Sequence, residues 1–146
     1  MISIVVRKLE VEDFERGYLK ILSQLSNIDI NTITKEQILN FMNNLSSNIN
    51  IFVLVDSINN KIIGSGTLLI EQKIIHNFGK VGHIEDIVVD SNYRGEGYGK
   101  QIIEYLVDYA RQNQCYKVIL VSNDHNSTFY NKLGFSKKDN SMALYF

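Results

Sequence analysis

The sequence lacks proline entirely and contains a single cysteine, Cys115. Without proline, tight turns and helix ends must be formed by glycine, asparagine, aspartate or serine. One cysteine cannot form a disulfide within the chain, which is typical of a protein from a reducing compartment. We therefore expect a cytoplasmic protein in which Cys115 is a packing residue.

The chain also lacks an excess of charge and any long apolar run. It has 15 basic and 16 acidic residues, for a net charge of −1. This balance does not give the overall field that is typical of proteins that bind nucleic acids or anionic membranes. No segment approaches the roughly 18 apolar residues of a membrane span, and the apolar N-terminal run is too short for a signal peptide. The 146 residues, 45% of them hydrophobic, predict a single domain over residues 1–146.

Apolar periodicity predicts a chain of strands and helices in the order β-α-α-β-β-β-α-β-α-β. This order indicates an α+β fold, an α/β sandwich with a mixed central sheet and helices on both faces. Thr34 and Gln37 have the spacing of a capping box, and Asn59 and Asn60 suit a hairpin turn. The predicted strands are residues 3–9, 51–55, 62–71, 83–89, 118–121 and 142–146, and the predicted helices are residues 12–25, 35–45, 97–113 and 126–133.

Three glycines at alternate positions follow the predicted strand 83–89, in the motif RGEGYGK at residues 94–100. A backbone without side chains that leads into a helix N-terminus presents N–H groups to an anion, so phosphate or pyrophosphate is the natural ligand. A tight turn that simply requires glycine is the alternative. A Walker loop needs a hydroxyl residue after its lysine, but Gln101 follows Lys100. The dinucleotide fingerprint Gly-x-Gly-x-x-Gly also differs in its spacing.

Residues 94–99 resemble the pyrophosphate loop Arg/Gln-x-x-Gly-x-Gly/Ala of the GNAT N-acetyltransferases. Residues 126–135, NSTFYNKLGF, resemble that family's segment Asn-x-x-Phe-Tyr-x-Lys-x-Gly-Phe. The resemblance implies a GNAT fold and acetyl-CoA as co-substrate, with no metal. The residues that it places at acetyl-CoA are Ile87, Val88, Val89, Arg94, Gly95, Glu96, Gly97, Tyr98, Gly99, Lys100, Asn126, Phe129, Tyr130 and Lys132.

Four other segments resemble one branch of the family, the glucosamine 6-phosphate N-acetyltransferases. They are residues 70–77, 83–90, 115–117 and 16–26, where RGYLKILSQLS resembles the branch's RGF-LLSQLT helix. This resemblance covers residues 7–146 and implies direct acetyl transfer to the 2-amino group of glucosamine 6-phosphate by a homodimer. It also implies that Ser26, Lys73 and His76 contact the substrate, the last two by reaching a partner subunit. For Lys73 and His76, a mobile polar loop is the alternative.

The residues present suit acyl transfer. The tetrahedral oxyanion needs hydrogen-bond donors, which the backbone near Ile87 and Val88 can provide. The departing thiolate needs a proton, and Tyr130 is the candidate acid, a packing tyrosine being the alternative. Glu85 and Asp86 form an acidic pair in an otherwise apolar strand, so we expect them to attract the ammonium group and orient sugar hydroxyls.

Two positions depart from the branch's pattern. Val121 stands where a carboxylate is usual, and Tyr145 stands where an arginine usually meets the sugar phosphate. Asp124 could replace the carboxylate, and a cation could come from Lys132, Lys137 or Lys138. The departures leave two alternatives open: an acetyltransferase for another amino sugar or small amine, and a non-catalytic acetyl-CoA-binding module.

Overall fold

The structure is a computed structural model that describes residues 3–146, so residues 1 and 2 of the predicted domain lie outside the described part. One five-stranded sheet runs through it. Its strands are β1 (Ile4–Lys8), β2 (Ile49–Asp56), β3 (Lys61–Gln72), β4 (Lys80–Val89) and β5 (Cys115–Leu120). They lie side by side in chain order. The first four are antiparallel, and β5 is parallel to β4. The predicted mixed sheet is confirmed.

Within residues 3–146, four α-helices and one short turn accompany the sheet: α1 (Tyr18–Leu22), α2 (Lys35–Asn44), α4 (Tyr98–Gln112), α5 (Ser127–Lys132) and the turn α3 (Ile75–Phe78), in which residues 76–78 have positive φ. Residues of α4 pack on one face of the sheet, and residues of α1 and α2 pack on the other. The α+β sandwich with helices on both faces is therefore confirmed. None of the helices within residues 3–146 is long and apolar enough to cross a membrane.

Two apolar cores result from this arrangement. On one face, Ile102, Ile103 and Leu106 of α4 have no accessible surface and pack on Phe52 and Leu68 of the sheet. These helix residues recur at the spacing of one helical face, which explains why the sequence buries them together. Burial of each such aliphatic side chain contributes about 1.5–3 kcal/mol to stability. The second core lies under α1 and includes Ile21, Val53, Ile62 and Val88.

The predicted continuous helix over residues 12–25 is wrong. A 3₁₀ turn covers Val11–Glu15, and α1 begins only at Tyr18. Gly17 separates them with a φ of +95°, a left-handed conformation that glycine adopts without strain. The carbonyl of Arg16 accepts a hydrogen bond of 3.1 Å from the backbone N–H of Ile62 in β3. Because the Arg16 carbonyl binds the sheet in this way, it does not accept a hydrogen bond within a helix, and the helix is interrupted at this point.

The predicted strand over residues 142–146 is also wrong. No strand is formed there, and Met142, Leu144 and Tyr145 are almost fully exposed. An apolar segment becomes a strand only where a sheet edge supplies backbone hydrogen bonds, and within residues 3–146 this segment has no strand partner.

The shorter sequence signals are confirmed. In the capping box, Gln37 N–H donates to the Thr34 hydroxyl at 3.2 Å, and Thr34 N–H donates to the Gln37 side chain at 2.8 Å. Asn60 has a φ of +51° in the turn between β2 and β3. Gly97 is the N-cap of α4, so the predicted helix is displaced by one residue at its start.

Asp13 is a fully buried carboxylate in the 3₁₀ turn. It accepts two hydrogen bonds of 2.8 Å from the Arg7 guanidinium and one of 2.8 Å from the Glu10 backbone N–H. Burial alone would raise the pKa of Asp13, but these hydrogen bonds and the charge of Arg7 outweigh it, and the pKa is lowered. Asp13 is therefore ionised at neutral pH and links β1 to the turn that precedes α1.

We predict that Asp13→Asn lowers the free energy of unfolding at pH 7 by about 1–3 kcal/mol, because Arg7 then loses its charged partner. The folded-state pKa is lowered, so the stabilisation is present above the unfolded-state value of about 3.9 and disappears as the pH falls through the folded-state pKa. The difference between variant and wild type should therefore shrink in acid.

Urea unfolding at a series of pH values measures this effect. Glu12→Gln is the matched control, since Glu12 is an exposed carboxylate in the same turn and its loss should change stability by less than about 0.5 kcal/mol. Equal stability of Asp13→Asn and wild type at pH 7 would contradict the assigned role.

Candidate active site

The pairing between β4 and β5 ends before β4 does. The last paired residues are Ile84 and Leu120, whereas β4 continues to Val89. Residues 85–89 therefore have no strand partner on the side of β5 within the described chain. An unpaired strand edge offers backbone N–H and C=O groups to an extended ligand that carries amides. The predicted cofactor residues Ile87, Val88 and Val89 all lie on this edge.

A β-bulge interrupts β4 at the start of that edge. Pairing with β3 shifts here, so that Gly66 lies opposite both Asp86 and Ile87. Asp86 has a φ of +52°, an uncommon conformation for a residue with a side chain. A Cβ atom on Gly66 would lie 2.6 Å from Cδ1 of Ile87, so a larger residue there would have to displace the Ile87 side chain. Glycine on β3 therefore accommodates the bulge on β4 without such a shift.

The bulge brings the acidic pair to one face of the sheet. Glu85 pairs across the strands with Thr67, which lines a cavity together with Asp86. Two successive residues of a regular strand would face opposite sides, but the bulged residue changes this alternation. Both carboxylates are exposed. The structure thus brings the predicted pair together beside the unpaired edge.

The glycine loop forms the N-terminus of α4. Gly95 and Gly97 have φ values of +85° and +86°. The N–H of Gln101 donates to the Gly97 carbonyl at 3.0 Å, and this is the first hydrogen bond of the helix. The preceding helical N–H groups therefore have no carbonyl partner in the helix, and they lie at the positive end of its dipole. These groups, on Tyr98, Gly99 and Lys100, lie where the sequence predicts an anion site.

Arg94 fixes the loop to the end of β4. Its Nε donates to the Val89 carbonyl at 3.0 Å, and its Nη2 donates to the side-chain oxygen of Gln24 at 3.3 Å. The same oxygen of Gln24 accepts a hydrogen bond of 2.9 Å from the Ser91 N–H. Gln24 therefore positions the loop, a role that no sequence motif indicates. Ser26 is exposed, two residues beyond it.

Helix α5 lies against the glycine loop. A Cβ atom on Gly99 would be 3.6 Å from Cζ of Phe129, an ordinary contact distance. The Tyr130 ring lies between Phe129 and Phe135, with centroids 5.0 and 6.0 Å away. Burial raises the pKa of the Tyr130 hydroxyl, so it stays protonated at neutral pH, as a proton donor must.

The remaining predicted cofactor residues are polar and exposed. Lys100 lies 3.6 Å from Glu104, one helical turn further along α4. Asn126 and Lys132 lie at the two ends of α5, and Glu96 lies in the glycine loop. They surround the loop and α5 without forming a buried network.

Lys73 and His76 lie in the connection between β3 and β4. The Lys73 ammonium is 2.6 Å from one oxygen of Glu71, and His83 Nε2 is 2.7 Å from the other. Hydrogen bonds from Lys73 and then His83 lower the pKa of Glu71. His76 has a φ of +54° and stacks on Tyr116 at a centroid distance of 4.4 Å. The sequence did not indicate the Glu71–His83 pair.

The structure does not bring His76 to the acidic pair within one chain. It precedes the first residue of β4, Lys80, whereas Asp86 lies six residues further along that strand. At 3.3 Å per residue, the separation along the strand is about 20 Å. The Lys73 ammonium, by contrast, contacts Glu71, whose carboxylate also contacts His83, three residues before Asp86.

The positions that depart from the branch's pattern are also exposed. Val121, just beyond β5, is 70% exposed, and Tyr145 lies in the unpaired C-terminal segment. Asp124 is 3.9 Å from Lys137. Burial raises the pKa of Cys115, so its thiolate form is disfavoured, which suits the packing role expected for it.

A cavity of about 370 Å³ opens beside the acidic pair, between α1, α2 and the sheet. Most of its lining is apolar, and its polar side chains include Tyr18, Thr67 and Asp86. The main apolar side chains in its wall are Phe14, Leu22, Ile38 and Phe41. Among these residues, Tyr18 is buried.

An unpaired strand edge, a helix N-terminus and a protonated tyrosine are elements that acyl transfer requires. Residues 6–135 match the acetyltransferase (GNAT) family. The chain therefore belongs to the GNAT family of acetyltransferases, as its motifs predicted.

Two relatives and one solved structure specify the branch. Glucosamine 6-phosphate N-acetyltransferase 1 of Dictyostelium discoideum is 41% identical over 146 residues, covering 98% of this chain and 91% of that protein. Glucosamine 6-phosphate N-acetyltransferase of Arabidopsis thaliana is 38% identical over 144 residues, covering 97% of this chain and 95% of that protein. The crystal structure of glucosamine-6-phosphate N-acetyltransferase from Arabidopsis thaliana has a TM-score of 0.92 and 37% identity over 99% of both chains. The predicted similarity to this branch is confirmed.

We predict that Gly97→Val weakens the binding of acetyl-CoA at least tenfold, because a branched side chain blocks the approach of a phosphate to the loop N–H groups. Calorimetric titration with acetyl-CoA measures the affinity. Gly17→Val is the matched control: Gly17 also has a positive φ, +95°, and also meets nothing within 4 Å. Both variants carry the same backbone strain, but Gly17→Val should retain the wild-type affinity. Unaltered affinity in Gly97→Val would contradict the loop assignment.

Proposed function

We propose that this chain transfers the acetyl group of acetyl-CoA to the 2-amino group of glucosamine 6-phosphate. The observation that carries the proposal is the continuity of the site. The unpaired edge at residues 85–89 runs from the acidic bulge towards the glycine loop, and α5 lies against that loop. The similarity to the Dictyostelium and Arabidopsis enzymes supports the choice of acceptor.

Acetyl-CoA would lie along the edge of β4, from the glycine loop to the acidic bulge. Its pyrophosphate would accept hydrogen bonds from the loop N–H groups, and its pantetheine amides would pair with the edge of β4. Lys100 in the first turn of α4, and Asn126 and Lys132 at the two ends of α5, would contact the nucleotide. The thioester would then lie beside Ile87 and Val88, next to the acidic pair.

The reaction needs a neutral amine, an oxyanion site and an acid. Glu85 and Asp86 attract the ammonium form of the acceptor, which loses a proton to water before it attacks the thioester carbon. A new C–N bond forms, and backbone N–H groups near Ile87 and Val88 stabilise the oxyanion. The C–S bond then breaks, the nitrogen releases its surplus proton to water, and Tyr130 donates its proton to the thiolate and regains one from water.

A homodimer would complete the acceptor site. His76 lies before β4, about 20 Å along that strand from Asp86, so we expect it to reach the sugar phosphate from a partner subunit, together with Lys73. The apolar segment at residues 142–146 is exposed in the single chain, and a second copy would bury it. Because Tyr145 replaces the usual arginine, the phosphate would depend on Lys73 and His76 or on lysines 132, 137 and 138. A cytoplasmic location remains our expectation from the single cysteine.

The acceptor is tested by following thiol release from acetyl-CoA with glucosamine 6-phosphate, glucosamine and small amines. We expect glucosamine 6-phosphate to be turned over most efficiently, because a charge-assisted contact to its phosphate contributes about 1.5–3 kcal/mol. Absence of thiol release above hydrolysis with the sugar phosphate would refute this acceptor.

Tyr130→Phe is expected to lower kcat about 100-fold or more, since the thiolate then departs without its acid, and to leave acetyl-CoA affinity nearly unchanged. Steady-state kinetics and calorimetry give the two values. Tyr105→Phe, in α4 at a partly exposed tyrosine, is the control and should retain wild-type kcat. A Tyr130→Phe enzyme with unchanged kcat would exclude the acid role.

Removal of residues 140–146 should convert the dimer to a monomer in sedimentation velocity, because the exposed apolar segment is lost. The truncated chain should bind acetyl-CoA normally, since the loop and the β4 edge are intact, but its turnover of glucosamine 6-phosphate should fall at least tenfold. A wild-type chain that is monomeric and fully active would contradict the shared site.

A further inference from the structure

The cavity between α1, α2 and the sheet differs in character from a sugar-phosphate site. Its walls include the apolar side chains of Phe14, Leu22, Ile38 and Phe41. No lysine, arginine or histidine of the described chain lines it, and its one charged lining residue is Asp86. A phosphate in this cavity would lie beside a carboxylate without a cation, which is strongly unfavourable. A cation with an apolar body is complementary to it.

Tyr18 strengthens the polar end of the cavity. Its side chain is buried against the second core, and burial raises the pKa of its hydroxyl. The hydroxyl is therefore neutral, and it lines the same cavity as Asp86.

We propose that this cavity is a second acceptor pocket, which takes a primary amine with an apolar body, such as a phenylalkylamine, and presents its amino group to the thioester beside Asp86. The proposal rests on the acetyl-CoA half of the proposed function. The volume of about 370 Å³ lies within the range of about 300–1,000 Å³ that is common for small-molecule pockets.

The chemistry of this second acceptor balances in the same way as for the amino sugar. The ammonium group loses one proton to water, and the neutral nitrogen forms a bond to the acetyl carbon. The C–S bond breaks, and the sulfur takes a proton from Tyr130, which water then restores. The attacking nitrogen loses its remaining surplus proton to water, so the products are an N-alkylacetamide and coenzyme A. No further reactant is required.

The test begins with a series of amines that differ only in their apolar part. Thiol release from saturating acetyl-CoA is measured with ethylamine, butylamine and phenethylamine, and with glucosamine 6-phosphate in parallel. Each methylene that enters an apolar pocket contributes about fourfold in affinity. We therefore expect kcat/KM to rise at least tenfold from ethylamine to phenethylamine.

Variants on α2 locate the binding site of the amine. Phe41 and Leu39 are both exposed apolar residues of this helix, 47% and 38% exposed, but only Phe41 lines the cavity. Phe41→Asn should lower kcat/KM for phenethylamine about tenfold and leave that for ethylamine and glucosamine 6-phosphate unchanged. Leu39→Asn is the matched control and should change none of the three. The turnover of the sugar phosphate shows in the same samples that the fold is intact.

Three results would overturn the proposal. The first is turnover of glucosamine 6-phosphate without turnover of phenethylamine. The second is a phenethylamine rate that is the same in Phe41→Asn and wild type. The third is an equal loss with both acceptors in Phe41→Asn, which would make the cavity part of the sugar site. Failure of every acceptor despite normal acetyl-CoA binding would instead refute the proposed function itself.

Discussion

The bulge in β4 is the constraint on which the site depends. Opposite Gly66, one extra residue enters the strand, so Asp86 adopts a left-handed conformation and joins Glu85 on one face of the sheet. Beyond this point β4 remains paired with β3 but has separated from β5, and its edge is open. Acidic groups, free backbone edge and glycine loop therefore follow one another along a single segment of chain. A regular strand would place the carboxylates on opposite faces.

The predicted anion site consists of backbone groups rather than excess basic residues. The chain is nearly neutral, yet the N-terminus of α4 concentrates N–H groups without a carbonyl partner in the helix and the positive end of a helix dipole at one point. Arg94 is largely used internally, since its guanidinium binds the Val89 carbonyl and Gln24. A site of this kind needs no positive surface, so the proposed binding of a pyrophosphate is compatible with the balanced composition.

The surroundings of the acidic bulge differ from one side to the next. Towards α1 and α2 lies an apolar cavity with Tyr18 at its polar end. Lys73, Glu71 and His83 form an ionic cluster, and His83 is three residues before Asp86 in β4. Under the proposed shared site, a partner subunit would change these surroundings, so the choice of acceptor would depend on assembly.

The sequence by itself determined the features that depend on neighbours along the chain. These are the capping box at Thr34, the turn at Asn60, the apolar face of α4 and the glycine loop with its helix, because each follows from local spacing. It failed where distant segments compete for the same backbone groups: β3 interrupts the helix at Gly17, and residues 142–146 find no sheet edge in the chain. Only the tertiary structure decided the end of the β4–β5 pairing, the contact of Gln24 with Arg94, and the cavity beside Asp86, because these require segments that the sequence keeps far apart.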